Sequence, residues 1–159
     1  MGILFDTLTE FFKDEGWDYQ VLEHRSILRM GFSGENGHWP CLAQAREPQQ
    51  QVVIYSICPL RIPEDRRNAI AEFLTRANYG LVIGNFEMDY DDGEVRYKTS
   101  LDVEDAEATS ELLRHILYAN VSAMDRYLPG ILAVLTDSQT PTEAVTQIDD
   151  DRAPDLSKS

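Results

Sequence analysis

Apolar residues recur along this chain with two different periods, and the places where the period changes outline its elements. Leu4, Leu8, Phe11 and Phe12 fall at helical spacing, which predicts a first helix from about Leu4 to Asp14 with Gly16 as its stop. Trp17 and Tyr19 then lead into extended chain. Three segments of strand character follow, Ile27 to Phe32, Trp39 to Arg46 and Val52 to Cys58. Turn residues divide them: Gly34-Glu35-Asn36-Gly37 first, then Glu47 to Gln51. The third segment is β-branched and aromatic throughout and should end at Pro59. Pro63, with Glu64 and Asp65 behind it, opens a second helix whose core stripe is Ile70, Phe73, Leu74 and Ala77. Gly80 closes that helix.

Leu81 to Tyr90 and Glu94 to Leu101 read as a hairpin around Asp92-Gly93. A two-residue turn there would pair Tyr90 with Val95, Asp89 with Arg96, Met88 with Tyr97, Glu87 with Lys98 and Phe86 with Thr99. One face would then be apolar and the other would carry opposite charges. The last helical region is predicted to start at the acidic entry Asp102-Val103-Glu104-Asp105, with Leu113, Ile116, Leu117, Val121, Met124, Leu128 and Ile131 at helical spacing. Pro129 should kink it or divide it in two. Past Asp137 the chain offers little to bury and reads as a disordered acidic tail. The order α-β-β-β-α-β-β-α, with strands in antiparallel runs, places the chain in the α+β class. The expected organisation is one domain over residues 1–137 and a tail over 138–159.

Composition narrows the functional classes. Over 159 residues the net charge is −14, from 28 acidic and 14 basic side chains. Such a field repels nucleic acid, and no basic stripe relieves it. It favours colloidal solubility, or recognition of a basic partner. Ten acids lie between Glu87 and Glu111 against only Arg96 and Lys98. No apolar run approaches the ~18 residues that cross a bilayer, and the amino terminus lacks the basic start and apolar run of a signal peptide. Gly2 does not complete a myristoylation motif, because position 6 is Asp6. A cytoplasmic protein without membrane association is expected.

Chemistry-bearing motifs are sparse. Asp89-Tyr90-Asp91-Asp92-Gly93-Glu94 fails the calcium-loop spacing, with its glycine one position early and Ser100 where a Glu is needed. His24, His38 and His115 lie on separate elements and form no zinc pair. Neither a nucleophile elbow nor a phosphate-binding glycine loop occurs. Cys41 and Cys58 form no CxxC, although the turn near Gln49 and Gln50 could set them across from one another. No catalytic, metal or cofactor-binding residue is assigned. The aromatic side chains remain, and Trp17, Trp39, Tyr55, Tyr118 and Tyr127 are the candidate partner-binding anchors.

The segments Asn78-Tyr79-Gly80, Gly84-Asn85-Phe86-Glu87-Met88-Asp89 and Asp92-Gly93-Glu94-Val95-Arg96-Tyr97, with the long helical region after them, resemble the YbjN family of bacterial proteins. The likeness runs from about Leu4 to Leu135. That family is described as regulators of sensory transduction and is similar in fold to type III secretion chaperones of the Tir-chaperone kind. Such chaperones are small, acidic, dimeric and non-enzymatic, and wrap extended effector segments. The resemblance supplies no active-site residue.

The expected function is therefore a non-enzymatic, chaperone-like or regulatory protein-binding domain. It would act as a homodimer and hold a protein segment in apolar pockets with acidic rims. Two other readings stay open: a small-molecule sensor with a pocket between the hairpin's aromatic face and the last helices, and an enzyme using converging carboxylates.

Overall fold

The computed structural model describes residues 2–22 and 24–152, residues 151 and 152 by backbone alone. Helix α1 (Ile3–Asp14) leads into strands β1 (Gln20–Leu22), β2 (Ile27–Ser33), β3 (His38–Arg46) and β4 (Gln51–Ile57). Helix α2 (Arg67–Tyr79), strands β5 (Asn85–Met88) and β6 (Val95–Asp102), and helices α3 (Ser110–Leu135) and α4 (Pro141–Arg152) complete the fold. All strands join one antiparallel six-stranded sheet, in the order β1-β2-β3-β4-β6-β5. The α+β class holds, with β1 and α4 added to the expected order.

Alternation along the strands sends Leu28 and Met30, then Trp39, Cys41, Ala43 and Ala45, then Val52 and Ile54, and Phe86, Val95 and Tyr97 to one side of the sheet. There they meet Leu8 and Phe12 of α1, Ile70 and Phe73 of α2, and Leu113, Leu117, Val121 and Ile131 of α3 in a single buried core. Helices α1, α2 and α3 thus cover one face of the sheet, and α4 packs on α2 and α3.

A polar knot lies inside that core. Asn120 interrupts the apolar stripe of α3 and is fully buried. Its Nδ2 donates to the carbonyls of Ile54 (2.8 Å) and Tyr97 (3.2 Å) and to Thr99 Oγ1 (3.1 Å), while its Oδ1 accepts from Ser56 Oγ (2.5 Å). Thr99 Oγ1 in turn donates to the Ile116 carbonyl at 2.8 Å. One side chain thereby ties α3 to β4 and β6, and every polar atom in the set has a partner.

Four expectations change. Pro129 neither splits nor ends its helix, which runs from Ser110 to Leu135. Proline removes the donor that the Asp125 carbonyl would receive, and Asn36 Nδ2, from the β2–β3 turn, supplies one at 2.9 Å. The Asp125 carboxylate accepts the backbone N–H groups of Glu35 (3.0 Å) and Asn36 (2.8 Å), so the proline is accommodated by a docked hairpin tip. Helix α3 also begins later than the acidic entry suggested. Asp102 Oδ1 accepts the Glu104 N–H in a local turn, and Thr109 is the N-cap, accepting from Leu112 N.

The tail reading fails over residues 141–152, which form α4. Thr140 and Glu143 close a reciprocal capping box, Thr140 Oγ1 accepting Glu143 N–H (3.1 Å) and Glu143 accepting Thr140 N–H (3.2 Å). Ala144 and Val145 are buried, and Gly130 lets α3 approach Phe73 of α2 and Ile148 of α4. The remaining tail residues, 153–159, lie outside the described residues. The β5–β6 pairing is shifted by two residues, to Phe86 with Tyr97, Glu87 with Arg96 and Met88 with Val95. An even shift leaves every side chain on its expected face, but Tyr90 moves out into a four-residue turn closed by Asp89 N–H donating to the Glu94 carbonyl at 2.9 Å. That turn is gripped from outside: Ile62 N–H donates to the Gly93 carbonyl (3.0 Å) and Arg67 Nη1 to the Tyr90 carbonyl (2.9 Å).

Asn120→Ala removes a hydrogen-bond partner from two hydroxyls and two carbonyls in the core, of which Thr99 Oγ1 keeps its bond to Ile116, and should cost about 3 kcal/mol of unfolding free energy. Urea denaturation at neutral pH reads this directly, and a loss under about 1 kcal/mol would mean that water replaces the amide.

Candidate functional site

The face of the sheet turned away from the helices carries the other half of each strand. Pairing places Leu22, Ile27, Gln44, Val53 and Ser100 in one row and Arg29, Leu42, Tyr55, Lys98 and Asn85 in the next. Ile57, Arg96 and Glu87 share a third. Val53 is buried, and Ile27, Leu42, Tyr55 and Ile57 are half-buried, with no helix over them among the described residues. An antiparallel sheet commonly leaves one face in water, but that face is normally polar.

Its charge is the reverse of the chain's. Arg29, Arg46, Arg96 and Lys98 lie on this face against Glu87 and Asp102, in a chain whose net charge is −14. The Arg96 guanidinium sits 4.2 Å from the centroid of the Tyr55 ring. Glu87 holds it there through Nε at 2.5 Å and also receives Lys98 Nζ at 3.2 Å. Partial burial opposes ionisation of Glu87, yet its hydrogen bonds and ion pairs with Arg96 and Lys98 outweigh that and lower its pKa. Arg29 is exposed, and beside it the sheet dips. Gly31, paired with Pro40, leaves a trough of about 940 Å³ walled by Asp18, Tyr19, Arg29 and His38. A Cβ added at Gly31 would touch nothing within 4 Å.

The predicted anchors do not converge. Tyr55 lies at the centre of the open face. Trp39, only 2% exposed, points the other way, where Cys41, Ala43 and Ala45 leave room for it in the core. Tyr127, also 2% exposed, belongs to the buried stripe of α3, its hydroxyl donating to Asp149 Oδ1 at 3.0 Å. Neither is a surface anchor. Trp17 is half-buried and stacks on Phe32 at 5.6 Å. Tyr118 is exposed at the α1–α3 seam, beside the Arg114–Glu15 ion pair. Arg29, Gly31, Leu42, Arg96 and Lys98 were not singled out from sequence. The signal that finds them is strand alternation combined with pairing register, which brings residues far apart in sequence onto one face. The expected acidic rim is here a basic one.

Other chemistry is poorly provided for. Cys41 faces Ser56 rather than Cys58, and burial pushes both thiols up to about 11, so both are protonated at neutral pH. Among the described residues no three His, Cys, Asp or Glu side chains are placed to hold a metal ion. No described helix is long and apolar enough to cross a membrane. The space proposed for a small molecule behind the hairpin is filled by Phe86 against Tyr97 (4.8 Å) and Tyr127 (5.6 Å).

Residues 4–133 match the YbjN family, described as "Putative bacterial sensory transduction regulator". No curated relative matches the chain. Among solved structures, YbjN from E. coli, titled a "putative transcription regulator", aligns with a TM-score of 0.57 at 13% identity, over 84% of this chain and 90% of that one. A chain of the HopA1–SchA chaperone–effector complex aligns with a TM-score of 0.51 at 13% identity, over 76% of this chain and 91% of that one. At such identities the likeness is one of fold.

Because the Glu87 pKa is depressed in the folded state, its ion pairs stabilise the protein above the ordinary carboxylate pKa of about 4.3. That contribution is lost as pH falls through the lowered folded value. Wild type should exceed Glu87→Gln in stability by no more than about 1 kcal/mol at neutral pH, since the pairs are solvated. The gap should close on acidification below the normal carboxylate range, as followed by urea titrations at stepped pH.

Proposed function

The chain belongs to the YbjN family, and on that premise we propose that it is a non-enzymatic regulatory adaptor that holds a segment of another protein against its open sheet face. The observation that carries this reading is the combination of half-buried Leu42, Tyr55 and Ile57 with Arg29, Arg96 and Lys98 on one uncovered surface. Apolar side chains give such a surface adhesion, and the cations give it direction. A partner segment that matches it is extended and presents both carboxylates and aliphatic residues on one of its faces, at every second position of a strand. The trough at Gly31 admits one bulky side chain, and Arg29 at its wall meets an acidic neighbour.

Nucleic acid is a poorer match to the same cations. The phosphate backbone would have to approach a chain of net charge −14, and the local excess of cations is small. Chemistry on a bound substrate finds no support either: among the described residues the polar cluster around Asn120 is sealed in the core, and the one around Asp125 is taken up in docking the β2–β3 turn. Similarity in fold to a chain of a chaperone–effector complex supports the protein-binding reading. We place the adaptor in the cytoplasm, acting as a homodimer.

A short labelled peptide of Glu-Ser-Val-Ser repeats, which sets Glu and Val on one face of an extended chain, is the direct probe. It should bind wild type in fluorescence anisotropy, weaken with salt, and bind Arg29→Glu and Gly31→Trp roughly tenfold less tightly, a difference of about 1.4 kcal/mol. Both variants should melt as wild type does, because Arg29 is exposed and the space over Gly31 is open. Equal binding by all three proteins, or tighter binding of the same peptide with Lys in place of Glu, would remove the open face from the function.

A further inference from the structure

The end of α2 and the turn into β5 present the two most exposed large apolar side chains among the described residues, Tyr79 and Val82, with Ile83 beside them. Tyr79 is 96% exposed, Val82 90% and Ile83 55%. No charged residue occurs from Ala77 to Phe86. Clustered exposed apolar groups of this kind mark contact surfaces more often than isolated ones do.

The segment is also held in place. Gly80 N–H donates to the Ala77 carbonyl (3.2 Å) and Leu81 N–H to the Asn78 carbonyl (3.0 Å), which extends the end of α2. Asn78 clasps Phe86 from outside the sheet, accepting its N–H at 2.7 Å and donating to its carbonyl at 3.0 Å. Tyr97 Oη donates to the Ile83 carbonyl at 2.5 Å. At Gly84, φ is +82° and an added Cβ would lie 2.5 Å from the Lys98 carbonyl oxygen, so the chain needs glycine to pass there. The exposed side chains therefore stand on a fixed ledge, and little ordering entropy remains to be lost on contact. Beside Tyr79, helices α2 and α4 leave a hollow of about 370 Å³ walled by Thr75, Arg76, Thr142, Val145 and Thr146. Knob and hollow share one surface.

We propose that this ledge and hollow form a twofold contact between two copies of the chain, with Tyr79 of each copy entering the α2–α4 hollow of the other. The proposal rests on the homodimer reading above and assigns its surface. Two copies of net charge −14 repel, and they approach at least cost where little net charge is presented: the ledge carries none, and Arg76 in the wall of the hollow is paired with Glu72 at 2.8 Å. Adjacent knob and hollow on one patch meet the self-complementarity that a twofold interface requires. Because Asn78 already occupies the backbone groups of Phe86, the contact is made by side chains and not by joining β5 to β5. A lipid surface fits less well, since anionic headgroups repel so acidic a chain.

Sedimentation velocity over a range of concentrations tests this on the full chain. Wild type should sediment as a dimer and Val82→Asp as a monomer, dimer affinity falling about a hundredfold or more because a carboxylate would be desolvated in the contact. Far-UV dichroism of Val82→Asp should match wild type, as Val82 packs against little of its own chain, while its melting temperature should be lower and, unlike that of wild type, independent of concentration, because association stabilises the folded dimer. Arg29→Glu, on the open face, should remain dimeric. If Val82→Asp and Tyr79→Ala both stay dimeric, the ledge is wrong while the homodimer stands. Wild type monomeric at every concentration overturns both, and co-sedimentation of wild type with phosphatidylglycerol vesicles overturns the assignment in favour of a lipid surface.

Discussion

Asn120 is a polar side chain in the middle of an otherwise apolar helix stripe, and the arrangement of the layers follows from how it is satisfied. Its amide has no access to water, so its partners must come from the elements it faces. Those partners are the Ile54 and Tyr97 carbonyls, Thr99 and Ser56, all on β4 or β6. An apolar residue there could slide along the sheet at small cost, whereas the amide fixes one axial position and one rotation of α3. With α3 fixed, α1, α2 and α4 pack beside it on the same side. The opposite face is left to solvent.

That one-sidedness separates two kinds of surface. The helical side and turns carry most of the acids, and the open face carries basic and half-buried apolar side chains. A protein with this division keeps itself soluble through long-range repulsion while preserving a local region of opposite sign. The Glu87–Arg96–Tyr55 arrangement belongs to the same division. An acid placed among the cations keeps a guanidinium flat on a ring, where it stays partly desolvated and ready to meet a carboxylate.

Much of this architecture is legible in the sequence, and the departures have identifiable causes. Strand alternation and the helical stripes of α1, α2 and α3 are local patterns, so they read correctly. The β5–β6 register is not local: Ile62 and Arg67 grip the turn, and nothing near Asp92-Gly93 reveals them. Helix α4 had its signal in Thr140-Pro141-Thr142-Glu143, a capping box with proline at the first helical position. Its apolar residues, Ala144, Val145 and Ile148, were outweighed by the acids around them. Pro129 misled because the donor replacing its missing N–H is Asn36, nearly a hundred residues earlier. As for the site, aromatic content pointed to Tyr55 but equally to Trp39 and Tyr127, whose size suits them to the core. The cations of the open face become a group only when four strands are laid in register.

The β5 border of the sheet is closed to extension by a side chain, whereas beyond the short β1 the Met30–Ser33 edge of β2 has no strand beside it among the described residues. Strand β1 has three residues, and Asn78 stands where a neighbouring strand would bond to β5. At the β5 border a guest peptide would therefore be denied the generic backbone ladder that accepts nearly any sequence. A guest lying across the pleats would instead be discriminated by its own side chains, and the capped β5 border removes one place at which copies of the molecule could pair strand to strand.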